Sequence, residues 1–323
     1  MNDVSGFFYL DKPEDCTSFD LIRSLRKITS QKKFGHTGTL DPFASGLIIL
    51  CLNKATKLSS LIINSDKEYL VQMELGTKTD TGDRDGNILL VKEPPILSEE
   101  QVFKAASKIK ELKTQIPPQY SAKKIQGKAA YKYAREGKEV FLKEKNISIH
   151  DFNIISVSGN SIVYRAKVSK GTYVRTLSET FAEYLGTIAY TTNLRRLSVG
   201  NITINKAVKL EAVTPDNWQD YLVPISQYNW DIPHLNLEES EARAFLNGSS
   251  ITLNEKQLEE LVEILQLDGD FNLNTEMHKL NANKIVAYLK SNKTSGENEC
   301  LGIASIKNGV LYPKRVLVNE TNR

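Results

Sequence analysis

Residues 35–50, GHTGTLDPFASGLIIL, constrain this chain more than any other stretch. From Gly46 the sequence runs almost unbroken in apolar residues to Leu52, the length of a buried strand rather than a helix. Before it, Gly35, Gly38, Pro42 and Gly46 keep the backbone out of regular structure. A single carboxylate, Asp41, is thereby delivered to the mouth of a buried strand by a stiff loop, a mounting that suits a catalytic side chain. Spacing alone leaves a plainer reading open. Asp before Pro is a frequent turn initiator, and its side chain can bond no more than its own backbone.

The surrounding patterns place elements on both sides of this loop. Phe7–Leu10 reads as a strand ending at Lys12-Pro13, and Thr17 or Ser18 caps a helix with Leu21, Ile22, Leu25 and Ile28 inward. Ala55–Asn64 reads as a helix, and Glu68–Leu75 alternates as a half-buried strand, which makes Tyr69 most simply a core residue. DTGDRDGN, residues 80–87, repeats acids as a calcium loop does, but Lys92 stands where the closing Glu is needed, so a hairpin turn is expected and no metal. Ser98-Glu99-Glu100-Gln101 is a capping box. Pro117-Pro118 forces an extended segment ahead of a short helix closed by Gly137. Val174, Leu177, Phe181 and Leu185 form a helical stripe stopped by Gly186. Arg175 sits in the first turn of that helix, where the macrodipole disfavours a cation, so a nearby anion is expected.

Charge is unevenly spread. Residues 236–280 hold ten acidic and three basic side chains, although the whole chain carries +3. Residues 113–145 hold nine basic against three acidic, interleaved with Tyr120, Tyr131 and Tyr133, a composition that suits a polyanion with stackable bases. No run reaches the ~18 apolar residues of a membrane span. The N-terminus lacks the basic and apolar regions of a signal peptide. Cys16, Cys51 and Cys300 form neither a disulfide framework nor a zinc cluster, so a reducing cytoplasm is expected.

The motif G-H-T-G-T-L-D-P-x-A-x-G-L around Asp41 resembles that of the bacterial tRNA pseudouridine-55 synthases of the TruB type. Further motifs agree with it. LDKPEDCTSFD resembles the family's L-D-K-P-x-G-x-T-S-x-D, with Asp15 in place of Gly. K-E-Y at 67–69 matches K-x-Y. QIPPQYSAKKIQGKAAYKYAREG at 115–137 matches its basic thumb segment, GTYVRTL at 171–177 its G-T-Y-[IV]-R-T-[LI], and Leu194-Arg195-Arg196 its L-R-R. If the position of Asp15 needs positive φ, Asp tolerates it better than most residues.

The resemblance implies a mixed α/β (α+β) fold with an antiparallel-rich central sheet. Residues 1–235 would form the catalytic domain with a thumb at about 115–145, and 236–323 a divergent PUA-like β-rich domain. It implies Asp41 as the essential catalytic residue, Arg175 as its ion-pair partner, and Tyr69 stacked on the target base, placed to accept the proton the rearrangement loses. Leu194 would pack on the everted base, and Tyr173 would line the pocket. Tyr120 and Lys124 belong to the RNA-gripping segment. Lys12 would meet phosphate or support the site, and His36 would wedge into the vacated stack or be a satisfied loop residue. Isomerisation of uridine 55 needs no cofactor, since nothing is oxidised and no group is transferred to or from the RNA. The expected partner is the T-arm of tRNA, with no membrane, no obligatory protein partner and a monomer as default. A guide-RNA-dependent ribosomal RNA synthase and a non-catalytic tRNA chaperone are the rival readings.

Overall fold

The apolar run is a strand, Ser45–Leu52, with every residue buried. The computed structural model describes residues 4–121, 123–125, 127–138, 140–230, 232–264, 282–289 and 299–317. The chain begins β1 (Gly6–Lys12), α1 (Ser18–Thr29), β2 (Phe34–His36), β3 (Ser45–Leu52), α2 (Ser59–Ile63) and β4 (Lys67–Leu75). The hairpin β5 (Thr77–Thr79) and β6 (Ile88–Val91) precedes α3 (Glu99–Lys110) and the short β7 (Thr114–Gln115), β8 (Lys124–Ile125) and β9 (Lys128–Ala129). Then come α4 (Ala130–Arg135), β10 (Lys145–Asn146), β11 (Ile149–Ser158), β12 (Ser161–Val168), α5 (Val174–Tyr184), β13 (Ala189–Val199), β14 (Ile202–Thr203) and β15 (Leu222–Pro224). The remainder is β16 (His234–Leu237), α6 (Glu239–Leu246), β17 (Ile251–Thr252), α7 (Glu255–Ile264), β18 (Ala282–Leu289), β19 (Glu299–Lys307) and β20 (Val310–Val316).

The large sheet runs β11-β12-β4-β13-β3-β1-β15, with β2 and β14 attached to β3 and β13. Its neighbours are antiparallel except β13 and β3. That exception matters. One edge of β3 is shared: β13 pairs at Ser45 and Gly46, while β2 pairs at Leu50, Cys51 and Leu52. The loop carrying Asp41 leaves β2 and returns into β3 where β13 takes over, so both of its ends are pinned to the same strand. Gly46 makes this junction possible. It has φ +103°, and a Cβ there would lie 2.3 Å from the Arg196 carbonyl oxygen.

Three apolar clusters hold this frame. α3 and α5 pack on β4, β11, β12 and β13 through Val102, Ile109, Leu177 and Phe181, and Phe43 and Ala44 of the Asp41 loop join that cluster. α1 packs on β1 and β3 through Leu21, Ile22 and Leu25. Its start is fixed by the Thr17–Asp20 capping box, which satisfies two otherwise orphaned N–H groups. The third cluster joins Phe7, Leu47 and Ile49 to Val286, Tyr288 and Ile303 of a second, smaller sheet ordered β16-β18-β19-β20-β17. In that sheet β19 and β20 meet at Asn308 and Gly309, both with positive φ, the turn chemistry the sequence suggests.

Two expectations change. The helix read over Ala55–Asn64 is a 3-10 stretch, Asn53–Leu58, followed by the short α2. Asn53 turns the chain at φ +52°, and the Thr56 and Ser59 hydroxyls donate to the carbonyls of Asn53 and Thr56, competing with a regular helical ladder. β13, the strand that joins the two halves of the large sheet, is not anticipated as an element at all. Residues 268–283 read in the sequence as polar with little pattern; 268–281 lie outside the described residues, and 282 and 283 open β18.

Candidate active site

Arg175 is the hub of the site. It enters on the first turn of α5, and its side chain is 6% exposed. Its Nε lies 3.0 Å from Asp41 Oδ2 as an ion pair, and Nη1 donates to Asp83 Oδ2 at 3.0 Å and to the Thr81 carbonyl at 2.6 Å. Nη2 donates to the Tyr120 carbonyl at 2.8 Å. One guanidinium thus ties together the Asp41 loop, the β5–β6 turn and the start of the basic segment. A fork of fixed geometry can do this; an ammonium cannot.

The two carboxylates on this fork differ. Asp83 is sealed: its Oδ1 accepts from the Thr81 hydroxyl at 2.6 Å and from the Asp85 amide at 3.1 Å. Asp41 keeps 38% of its side chain open. Its main-chain carbonyl accepts the turn hydrogen bond from the Ala44 amide at 3.1 Å, leaving the carboxylate to Arg175 rather than to its own backbone. Burial pushes the Asp41 carboxyl above the ordinary aspartate value; Arg175 opposes this, Asp83 adds to it, Lys12 opposes and Asp85 adds. A carboxylate that is oriented, charge-compensated and still reachable can act on a substrate. Asp83 is placed to orient.

Lys12 is fully buried at the end of β1, and its ammonium donates to the carbonyls of Pro13 at 2.8 Å, Cys16 at 2.7 Å and Pro42 at 3.0 Å. All three of its donors are used. The expectation that it meets RNA phosphate is therefore corrected: Lys12 braces the Pro42 carbonyl, one residue after Asp41. From the other side Arg196, 2% exposed, donates Nε to the Leu47 carbonyl at 2.6 Å and Nη2 to the Gly38 carbonyl at 3.2 Å. The loop is thus held by two cations that spend themselves on its backbone.

The apolar wall comes from the sheet. Tyr69 lies opposite Arg196 on β13, and Arg196 lies opposite Gly46 on β3, so these three positions form a row across adjacent strands. Leu194 pairs with Val71, and both Leu194 and Tyr69 pack in the cluster that includes Leu40, Phe43 and Ala44. Tyr173 caps α5, its amide and carbonyl both bonded by the Gln115 side chain at 2.8 and 3.0 Å. Burial pushes the Tyr173 hydroxyl up from its ordinary value. His36 ends β2, where its Nδ1 accepts from the Gly38 amide at 3.4 Å; burial, then Arg196, lowers its basicity, so the imidazole is neutral near pH 7. Tyr120 enters through its main-chain carbonyl. The backbone of Lys124 is in β8, and its side chain lies outside the described residues.

A family model described as TruB family pseudouridylate synthase (N terminal domain) matches residues 26–174. A protein of Hydrogenovibrio crunogenus named tRNA pseudouridine synthase B is 37% identical over 79% of this chain and 84% of that one. A protein of the same name from Burkholderia mallei is 34% identical over 98% of this chain and 97% of that one. The chain belongs to the TruB family. As a TruB-family enzyme it is an isomerase, and its architecture has solved counterparts: the chain in a Cbf5–Nop10–Gar1 complex aligns with 98% of this chain and 86% of that chain at TM-score 0.66, at 18% identity. One in an archaeal box H/ACA sRNP Nop10–Cbf5 complex aligns at TM-score 0.65 and 18% identity over 97% and 86%. At those identities the likeness speaks for the fold, including the small C-terminal β-rich sheet of PUA-like form.

Three residues of this TruB-family site are not anticipated from sequence. Asp83 is one of three acids in the 80–87 turn, Arg196 is the second arginine of L-R-R, and Gln115 opens the thumb segment. A signal for Asp83 lies in the repeated acids of DTGDRDGN, which a plain hairpin turn does not require. Asp15, in the place of the family's Gly, takes φ +58° and pairs with Arg84 at 3.0 Å. The departure is accommodated by a residue beside Asp83.

Proposed function

We propose that this enzyme converts uridine 55 in the T-arm of tRNA to pseudouridine, with Asp41 as the essential carboxylate. The observation that carries the proposal is the 3.0 Å Arg175–Asp41 pair, in which the arginine is sealed and the carboxylate is open. The names of the relatives at 34–37% identity support tRNA as the substrate over a guide-RNA-dependent role. In the reaction the bond from ribose C1′ to N1 breaks, the base turns, and C1′ joins C5; C5 loses its proton and N1 gains one. Atoms and electrons balance without an oxidant or acceptor. Asp41 acts at the ribose side of the base, held by Arg175, which Asp83 and the Tyr120 carbonyl hold in turn.

A stacked uridine is not reachable by a carboxylate held in a loop at the mouth of a buried strand, so the base must be everted, which costs a few kcal/mol. Stacking on Tyr69 returns roughly 1–3 kcal/mol, with Leu194 on the same apolar wall and Tyr173 at its rim. Tyr69 takes the C5 proton. His36, neutral and beside the loop, fills the space the base leaves. Residues 1–235 act as the catalytic unit, with 115–145 as a thumb that includes Tyr120 and Lys124, and 236–323 as an appended PUA-like unit. The enzyme works as a cytoplasmic monomer on the T-arm, which it reads by shape and backbone.

Tritium at C5 of uridine reports the step directly, because forming the C1′–C5 bond expels it. Purified protein incubated with a tritiated T-arm hairpin is expected to release tritium to water stoichiometrically with one uridine. Binding without release would leave only the chaperone reading.

A further inference from the structure

Beyond Tyr173 the surface carries a second feature that the chemistry at Asp41 does not use. β10 pairs with β7 at Lys145 and Gln115, and Gln115 is the residue bonded to the Tyr173 backbone. Lys145 therefore stands directly behind the pocket rim, its ammonium 5.6 Å from the Tyr173 ring centre. It also lies across the turn that links β12 to α5: a Cβ added at Gly171 would sit 2.1 Å from Lys145 Nζ. A cavity of about 420 Å³, lined by Lys145, Ser148, Ser169 and Lys170, opens here. A neighbouring one of about 590 Å³, lined by Lys167, Lys170, Asn64 and Asn201, shares Lys170 with it.

Among the described residues none of these three lysines has a carboxylate within ion-pair distance. Lys170 donates only to the Asn64 side-chain oxygen, at 3.0 Å. Asp66, the carboxylate lining the larger cavity, is turned to His150 at 3.0 Å. Burial, then the charges of Lys123 and Lys170, push the Lys145 ammonium below its ordinary value, a repulsion that a bound anion would relieve. On other faces Lys110 is paired with Asp151 and Lys128 with Glu136. Lys145, Lys167 and Lys170 instead line adjoining cavities that start beside Tyr173.

We propose that the trough lined by Lys145, Lys170 and Lys167 is the track for the backbone phosphates of the RNA strand that delivers the target uridine. This rests on the reading of the chain as an RNA-modifying enzyme and adds where the strand runs. A single strand fits better than a free anion, because the two cavities are contiguous and one end adjoins Tyr173, beside which the everted base would sit. Lysines suit the task as compact point charges on flexible stems.

The test is the salt dependence of binding of the full-length protein to an unmodified tRNA transcript. Removing one lysine–phosphate interaction lowers the slope of log K against log salt by roughly 0.7–0.9. Lys145→Gln and Lys170→Gln are each expected to weaken binding severalfold and to lower the slope by about that amount. Lys145→Arg is expected to keep the wild-type slope, as is Lys104→Gln on the exposed face of α3. Wild-type slopes in Lys145→Gln and Lys170→Gln would overturn the proposal, and so would an equal fall in Lys104→Gln. The two readings fail separately. A protein that isomerises tRNA with unchanged slopes loses the trough alone, and one whose slopes fall as expected but which expels no C5 tritium loses the isomerase reading alone.

Discussion

At the residue scale the site turns on how two carboxylates share one guanidinium. Asp83 is sealed and Asp41 open, so Asp83 anchors the fork that aims the other. The charges around Asp41 give a test with two opposite signs. The reaction needs the carboxylate, and burial raises its pKa, so activity should be lost on acidification at a pH above that of a free aspartate. Asp85 adds to that rise, so Asp85→Asn should move the acid limb of kcat/KM to lower pH. Lys12 opposes it, so Lys12→Met should move the limb to higher pH. Shifts in the same direction would mean that a group other than Asp41 sets the limb. Lys12→Met also strips the partly buried carbonyl contacts at Pro13, Cys16 and Pro42 of their donor, and a urea melt should show a loss of roughly 1–3 kcal/mol. Asp41 was legible because Gly and Pro announce a stiff loop ahead of an apolar strand. Asp83 was not, because which of three acids in a turn is buried depends on an arginine ninety-two positions later.

At the scale of elements the chain declares its helices and most of its strands. α1 and α3 carry their capping boxes, and β4 alternates cleanly along its length. β13 hides. A register shift between Thr191 and Asn193 breaks its period, and Arg196 in its core-facing series reads as a surface residue until the carbonyls of Leu47 and Gly38 are brought to it. The same strand fixes the Asp41 loop through the glycine junction at β3. Gly46→Ala combines a strained φ with a Cβ driven into the Arg196 backbone, and should destabilise the protein by about 3 kcal/mol or more. The check is chemical unfolding of the soluble fraction; an unperturbed midpoint would show that the loop is not seated through this junction.

For the whole molecule, what matters is how the small sheet is attached. Phe7, Tyr228 and Trp230 pack tilted and edge-on with ring centres 4.3–5.9 Å apart, and Trp230 Nε1 donates to the Tyr288 hydroxyl at 2.8 Å. Lys57 Nζ donates to the Val316 carbonyl at 3.2 Å, and Arg315 donates back to the Lys57 carbonyl. A junction this apolar should couple the sheets, giving one unfolding transition by calorimetry. Trp230→Ala should split it in two, and one unchanged transition would contradict that coupling. Little of this junction was readable beforehand, because Tyr228 and Trp230 lie after β15, where the pattern carries no period.

The central claim is that Asp41, aimed by Arg175, isomerises one uridine of the tRNA T-arm. Pseudouridine mapping of an unmodified tRNA transcript, after incubation with wild type or with Asp41→Asn, tests it most directly. The account predicts pseudouridine at position 55 with wild type, and none with a variant that still binds the tRNA. Pseudouridine made by Asp41→Asn, or none made by wild type, would contradict it.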